Sequence, residues 1–539
     1  MLKTLLVALL PALAAAAAPI NLGSGDYRAV GGAKLTVVDD RLTLSRQGNA
    51  KEAAAIRNLI IESPAFLVIK AQVKAGPGGG NGKISAIARG EKNEWHFQWF
   101  MPDMAALNSE WQDVELRFFT PAVSKSLDIK LEVNSGTLEI RDFTLTCSAA
   151  ADSRPAHAPR LEYWINMDYN DNVVYSSNLK LDGYGETEIA AFFEKCKKAG
   201  VTGVQWRISV FGQVAYQSKG AATVFPDPAP LDKLDPARRQ MAETLRAIDP
   251  LAIAVREARK QNIKILIWVT LSDEGYPDPA IANYCVPQFL LEHPEARLQN
   301  REGKYLDGTL CYSVPAAREY RLGMIRELLE YKADGLYLCT RSHSNAFGTD
   351  SGDDYGFNAP VVEEYRKRYG VDILTQPFDV AKWREIKSDG YDLLFEEISK
   401  LARAAGQEIR LGVSSSTLAN GAFQSNWGKT PVRWQKFLKN RWVDSILDGQ
   451  YHVEPFFASR EFNRFREAAW PDQKFYLWAQ MVNYSEKRVY SQAELFTQAA
   501  FFAFLGVNGG VYHEALNLEE NAAVYLDLVG EFYRKENAR

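Results

Sequence analysis

A chain of 539 residues is longer than one ordinary hydrophobic core organises, so two or three domains are expected, one of them large. Its 63 basic and 67 acidic side chains leave a net charge of only -4, which removes any electrostatic reason to expect nucleic acid or an anionic membrane surface as partner. Aromatic residues make up 12% of the chain, a supply of flat faces that serves core packing and would also suit a stacked ligand.

The chain opens with MLKTLLVALLPALAAAAAPI: Lys3, then an apolar stretch from Leu5 to Leu13, then the Ala14 to Ala18 run of small residues. This pattern reads as a cleaved secretion signal over residues 1–18, and its apolar part is too short to span a bilayer. With no later run of membrane-helix length and no lipid-accepting cysteine near the cut, a periplasmic or extracellular protein without membrane insertion is expected. The five cysteines, Cys147, Cys196, Cys285, Cys311 and Cys339, form no CxxC pair, so neither a zinc site nor a dense disulfide framework is expected. A single Cys285–Cys311 bridge and buried free thiols are both open readings.

Over residues 19–147 short alternating runs such as KLTVV, LTLSR, AFLVIKAQV and KISAIA are broken by Gly, Pro and Asn, the pattern of an antiparallel β-sandwich. GPGGGNG (Gly76 to Gly82) reads as a turn of that sandwich, since no helix follows it to cradle a phosphate. Two segments, EWQDVELRFFTPA and LDIKLEVNSGTLEIRDFTLT, resemble the closing strands of jelly-roll carbohydrate-binding modules. The likeness implies sugar binding, while a sandwich that only buttresses its neighbour fits equally well. Residues 148–160, rich in Ala and Pro, read as a linker.

From residue 161 to 539 short β-type runs alternate with helical ones. LEYWINMD, VTGVQWRISVFG, IKILIWVTLSD, GLYLCTR, IRLGVSSS, WVDSILDGQYH, KFYLWAQMVN and GVNGGVYHEA make eight strand candidates, which points to a closed (β/α)8 barrel. The fold class is therefore α/β, a TIM barrel preceded by an all-β jelly roll. In such barrels ligands sit at the C-terminal strand ends, and side chains two apart face the same way. Counting in twos groups Trp164, Asn166 and Asp168; Gln205, Arg207 and Ser209; Trp268, Thr270, Ser272 and Glu274; Cys339, Arg341 and His343; Asp448 and Gln450; Trp478 and Gln480; and Tyr512 and Glu514. Polar groups on that face of nearly every strand are costly in a purely structural core and predict a polar mouth with a polar ligand.

LEHPEARLQNREGK, YSVPAAREYRLGMIRELLEYKADGLYL and YGFNAPVVEEYRKRYGVDIL, spanning mainly Phe289 to Leu374, resemble bacterial secreted glycosyl-hydrolase-like (β/α)8 barrels distantly akin to the alpha-amylase type. The resemblance implies a carbohydrate substrate and hydrolysis of a glycosidic bond. It fails at one place: Asp334 and Gly335 match the strand-four pattern, but Cys339 stands where that pattern ends in a nucleophilic aspartate. A thiolate nucleophile and a small buried thiol are the two readings of Cys339.

Hydrolysis requires two carboxylates across the scissile bond, roughly 5 Å apart for retention of configuration and roughly 6.5–9.5 Å for inversion. The candidates are Glu514 first, then Asp448 and Glu454, with Asp168 and Glu274 as holders of sugar hydroxyls. Arg207, Arg341, His343 and His452 would favour an anionic sugar such as a uronate, unless the arginines are paired inside the barrel. Trp164, Trp268, Trp427, Tyr451 and Trp478 supply stacking faces, with Gln450, Gln480 and His513 as further polar contacts. GTDSGDDYG lacks the ligand spacing of a calcium loop, so no metal is expected, and nothing in the sequence calls for a cofactor. A non-catalytic sugar-binding barrel and a polysaccharide lyase are the alternatives to a hydrolase.

Overall fold

The computed structural model describes residues 19–538 except 49–52, 62–64, 94, 101–106, 121–123, 149–154, 156–157, 170–183, 211, 225–235, 273, 275–285, 341–353, 415–422, 425–429, 450–458, 484–487 and 514–519. The expected secretion signal and residues 348–353 of the acidic run GTDSGDDYG lie outside the described residues. By contacts the chain divides into two compact units, Met1–Pro159 with Glu454–Glu467 and Thr497–Val507, and the remainder.

The first unit contains a nine-stranded antiparallel sheet that folds around a core including Leu42, Leu44, Ile69, Trp99, Phe118, Ile129 and Leu145. Its frame is two long strands, Ala65–Arg89 and Ser126–Ser148, paired from Phe66↔Ser148 to Arg89↔Ser126. GPGGGNG, expected as a turn, is instead the irregular middle of the first of these strands. Pairing jumps there from Ala75↔Leu138 to Gly80↔Gly136, so five residues on one strand advance against two on the other. The glycines are needed because the backbones nearly touch: a Cβ on Gly80 would lie 2.0 Å from the Thr137 carbonyl oxygen.

The second unit is built on a closed parallel barrel. Its strands are β1 (Glu162–Met167), β2 (Gly203–Arg207), β3 (Lys264–Thr270), β4 (Gly335–Cys339), β5 (Glu408–Val413), β6 (Ser445–Asp448), β7 (Lys474–Gln480) and β8 (Gly509–His513), paired in that order with β8 closing on β1. All eight strand candidates of the sequence are present. Helices that return the chain include α1 (Glu186–Ala199), α2 (Pro250–Lys260), α3 (Pro315–Glu330), α4 (Val380–Ala404) and α5 (Glu520–Ala538). Their ends carry local signals: Asp249 and Asp379 cap the backbone amides opening α2 and α4, Pro250 and Pro315 stand at first helical positions, and left-handed Gly200 ends α1.

One device recurs four times at the N-terminal end of the barrel. The residue just before each even strand accepts, through its side chain, the amide of the strand before it. Thr202 Oγ1 takes Tyr163 N at 2.8 Å, Asp334 Oδ2 takes Ile265 N at 2.8 Å, Asp444 Oδ2 takes Ile409 N at 2.7 Å and Asn508 Oδ1 takes Phe475 N at 2.9 Å. A short polar residue before a Gly or Ser thus pins strands in pairs, and Asp334 of the Asp-Gly motif has this structural task.

Candidate functional site

Register fixes which side chains enter the lumen. Trp164, Leu266, Trp268, Tyr337, Cys339, Leu447, Tyr476, Trp478 and Val511 form one buried cluster, and the residues two along from them share their face. Asn166 and Asp168 of the β1 end, Gln205 and Arg207 of β2, Thr270 of β3, Arg410 of β5 and His513 of β8 are therefore inward-facing, as the counting in twos predicts for strands one to three and seven.

Two strands are offset by one residue from that count. On β6 the pairs Gly412↔Leu447 and Leu447↔Tyr476 put Leu447 inward, so Asp448 belongs to the opposite face, beside outward Val413 and Leu477. On β8 the pair Trp478↔Val511 puts Val511 and His513 inward, and Tyr512 turns outward. Its ring meets Tyr163 edge-on at 5.2 Å, and its hydroxyl lies 3.4 Å from that of Tyr533 on α5. The cause is that both faces of a barrel strand are buried, so hydropathy does not alternate and only pairing sets the parity.

At the upper lumen the charged groups are paired. Arg207 donates from one terminal nitrogen to Asp168 Oδ2 at 2.6 Å, both side chains being fully buried, and its Cζ lies 5.3 Å from the Trp268 ring. Glu274 is buried in an ion pair with Arg321 of α3. Arg321 Nε also donates to the Tyr312 hydroxyl at 3.2 Å, which donates in turn to the Leu271 carbonyl at 2.6 Å. Arg207 and Glu274 thus follow the paired-in-the-barrel alternative, and Arg321, a helix residue, carried no sequence signal of this role.

Neutral polar groups are left open between these pairs. Asn166 Oδ1, both amide atoms of Gln205, Trp268 Nε1 and Thr270 Oγ1 are buried without a hydrogen-bond partner. Asn166 Nδ2 lies 3.5 Å from His513 Nδ1, a contact whose direction depends on the imidazole tautomer. Around them stand aromatic faces: Trp478 is 4.7 Å from the His513 ring and 6.3 Å, edge to face, from Trp268. Asn166, Gln205 and Thr270 are as deeply placed as Trp268 and Trp478; the counting in twos puts them on the inward face, but the sequence did not single them out as ligand contacts.

Cys339 ends β4 within this cluster and is 2% exposed, packed with Trp268, Tyr337 and Trp478. Thr340 follows it, its hydroxyl donating to the Gly412 carbonyl at 2.8 Å. Gln480 closes β7 opposite His513. Glu514, Glu454, Arg341, His343, Gln450, Tyr451, His452 and Trp427 lie outside the described residues. Among the described residues no group of His, Cys, Asp and Glu could hold a metal ion, and no helix is long and apolar enough to cross a membrane. In the sandwich, the Trp111 ring is met by Arg141, Lys74 and Arg41 at 4.2, 4.9 and 5.5 Å, so the protein's own cations crowd that aromatic surface.

No family model matches the chain, and no curated protein matches it. Among solved structures, the glycoside hydrolase domain of PgaB (BpsB) from Bordetella bronchiseptica is similar with a TM-score of 0.43 and 12% identity, covering 68% of this chain and 99% of that one. The CBM22-1 and GH10 modules of a Clostridium thermocellum endo-1,4-beta-D-xylanase, complexed with xylohexaose, give a TM-score of 0.31 and 11% identity over 91% of this chain and 88% of that one. The catalytic domain of a Paenibacillus polymyxa beta-amylase gives 0.36 and 9% identity over 70% of this chain and 99% of that one.

Proposed function

We propose that the barrel takes a carbohydrate at its C-terminal mouth and hydrolyses a glycosidic bond in a polysaccharide or oligosaccharide. The observation that carries this reading is the set of buried, unpartnered amide, hydroxyl and indole groups of Asn166, Gln205, Thr270 and Trp268, set among the Trp268 and Trp478 rings. Unmade buried hydrogen bonds are costly. A ligand rich in hydroxyls, with an apolar ring face for stacking, answers both halves of the arrangement. Because Asp168 neutralises Arg207 and Arg321 neutralises Glu274, a neutral sugar ring suits this recess better than a uronate. In this reading Glu514, which follows the last residue of β8 and is therefore not bound to the alternation of that strand, is the first candidate acid or nucleophile. Asp168 positions the substrate through Arg207, and Gln480 lies beside His513 at the rim.

The test is a panel of neutral and anionic polysaccharides assayed for new reducing ends and for ultraviolet-absorbing unsaturated products. Hydrolysis releases reducing ends alone, and Glu514→Gln abolishes that release while the fold and sugar binding persist. Unsaturated product from a uronate would replace the reading with a lyase. A second reading has its own support: Glu274 is held by Arg321, Asp448 takes outward parity and Cys339, where the resembled strand pattern has an acid, is packed in the buried cluster. A sugar-binding barrel without turnover fits these three facts, and it would bind a panel member while releasing neither product.

A further inference from the structure

Four donors from one segment converge on a carboxylate of the helix layer. Glu327 lies on α3, half-buried, beneath the chain that follows β2. The Tyr216 hydroxyl donates to its Oε2 at 3.0 Å and the Ser218 hydroxyl to the same oxygen at 2.7 Å, while Oε1 accepts the amides of Lys219 at 2.9 Å and Ala221 at 3.0 Å. The same segment is stitched to the mouth at its other end. Ser209–Val210, Gln213–Val214 and Thr223–Val224 form a small three-stranded sheet. Ile208 N donates to the Trp268 carbonyl at 3.2 Å, and Ala215 N returns to the Ile208 carbonyl at 2.8 Å. Gly212, with φ +82°, lies against Glu274: a Cβ there would stand 2.8 Å from Glu274 Oε2.

Hydrogen bonds to an ionised acceptor are among the strong ones, and four of them order a segment that would otherwise keep its chain entropy. The other carboxylates near it hold it less closely. Glu330 pairs with the exposed ammonium of Lys219, and Asp249 takes the Gln217 amide at 3.4 Å. The helix that carries Glu327 also carries Arg321, the partner of Glu274. One helix thus fixes two neighbours at the mouth: Glu274 directly through Arg321, and Gly212 through the segment that Glu327 holds. Resting on the carbohydrate reading above, we propose that Glu327 is a positioning residue for the ligand. From outside the recess it keeps Gly212 against Glu274 and Ile208 on the Trp268 backbone, and so sets the affinity of the mouth.

The experiment compares full-length wild type, Glu327→Leu, Glu327→Gln and Glu330→Gln by native-state hydrogen exchange and by titration with the neutral polysaccharides of the panel. Glu327→Leu is expected to speed exchange about tenfold at the Lys219 and Ala221 amides, and severalfold at those of Ile208 and Ala215. Its affinity for the panel member that wild type binds is expected to fall severalfold, seen in turnover as a raised KM at nearly unchanged kcat. Glu327→Gln keeps one oxygen for the two amides and is expected to recover most of both effects. Glu330→Gln, which loses only the exposed pair with Lys219, is expected to match wild type. Should Glu327→Leu fail to fold, Ser218→Ala removes one of the four donors and is expected to move both readouts the same way by less. A contact that served stability alone would lower the melting temperature and leave the affinity of the folded protein unchanged. That result, or faster exchange confined to Lys219 and Ala221, would overturn the inference. Wild type that binds no panel member would remove the carbohydrate reading by itself, and exchange at Ile208 and Ala215 would still decide whether Glu327 holds the mouth in place.

Discussion

The Asp168–Arg207 pair shows how a single contact sets the character of the mouth. Both side chains have no solvent exposure, and each supplies the other with a counter-charge. Asp168→Asn leaves a buried guanidinium with a neutral neighbour, and a loss of about 3–5 kcal/mol is expected in urea unfolding. Replacing both, Asp168→Leu with Arg207→Met, is expected to cost less than that single change, because no orphaned charge remains. A double variant as unstable as the sum of the singles would show that the two residues act separately. Glu162 makes a second residue-scale case, at the opposite end of β1. Burial pushes its carboxyl up, but the hydrogen bond and charge of Lys474, with hydrogen bonds from Trp164 and Tyr476, outweigh that and hold it below the ordinary 4.5. A depressed carboxyl stabilises the fold fully above its unfolded value, and that contribution fades as pH falls through the folded value. Lys474→Met removes the strongest of these supports, so the variant is expected to be less stable at neutral pH and to lose less additional stability between pH 5 and pH 3 than wild type. Melting curves across that range measure the difference.

At the scale of elements, the four pins ahead of the even strands hold the parallel strands in pairs from one end. Each is a single neutral or charge-assisted hydrogen bond to a backbone amide, so Asp444→Ala is expected to destabilise by about 1–2 kcal/mol. Asp334→Ala acts on a different strand pair, and the two losses are expected to add in equilibrium unfolding. The motifs that write these pins, Thr-Gly, Asp-Gly, Asp-Ser and Asn-Gly before an apolar run, are plain in the sequence, as are the eight strands and the capped helices between them. Parity was legible only where a strand carries its polar residues on one side, as Asn166 with Asp168 and Gln205 with Arg207 do. It was not legible on β6 and β8. There Leu447 and Val511 are inward, while buried Asp448 and Tyr512 are outward, and composition does not separate the two faces. The ion pair of Glu274 with Arg321 and the stacking of Arg410 between the Trp164 and Tyr476 rings were out of reach for another reason. Each joins residues from distant elements that become neighbours only on closure of the barrel and its helix layer.

For the molecule as a whole, the two-part organisation appears in the texture of the sequence because a bent antiparallel sandwich and a parallel barrel need different patterning. Alternating runs with glycine breaks serve the first, and apolar strands separated by amphipathic helices serve the second. The cysteines report on these units separately. Cys196 of α1, Cys311 ahead of α3 and Cys339 of β4 are free, buried thiols of the barrel unit, and Cys147 is a half-buried cysteine of the sandwich. Burial raises the Cys311 thiol to about 11 and that of Cys196 further, so neither forms thiolate readily while the barrel is folded. In native protein a charged thiol reagent is therefore expected to react with Cys147 first, and with Cys196, Cys311 and Cys339 together at the rate of barrel opening. Increasing urea should accelerate those three in parallel if the barrel unfolds as one unit. Independent rates for Cys196 and Cys339 would instead mean that α1 detaches before the strands part. The same titration checks the Cys285–Cys311 bridge that the sequence left open: Cys311 is a free thiol, so protein unfolded without reductant is expected to yield Cys311 among its reactive groups, and its absence would mean that the bridge forms.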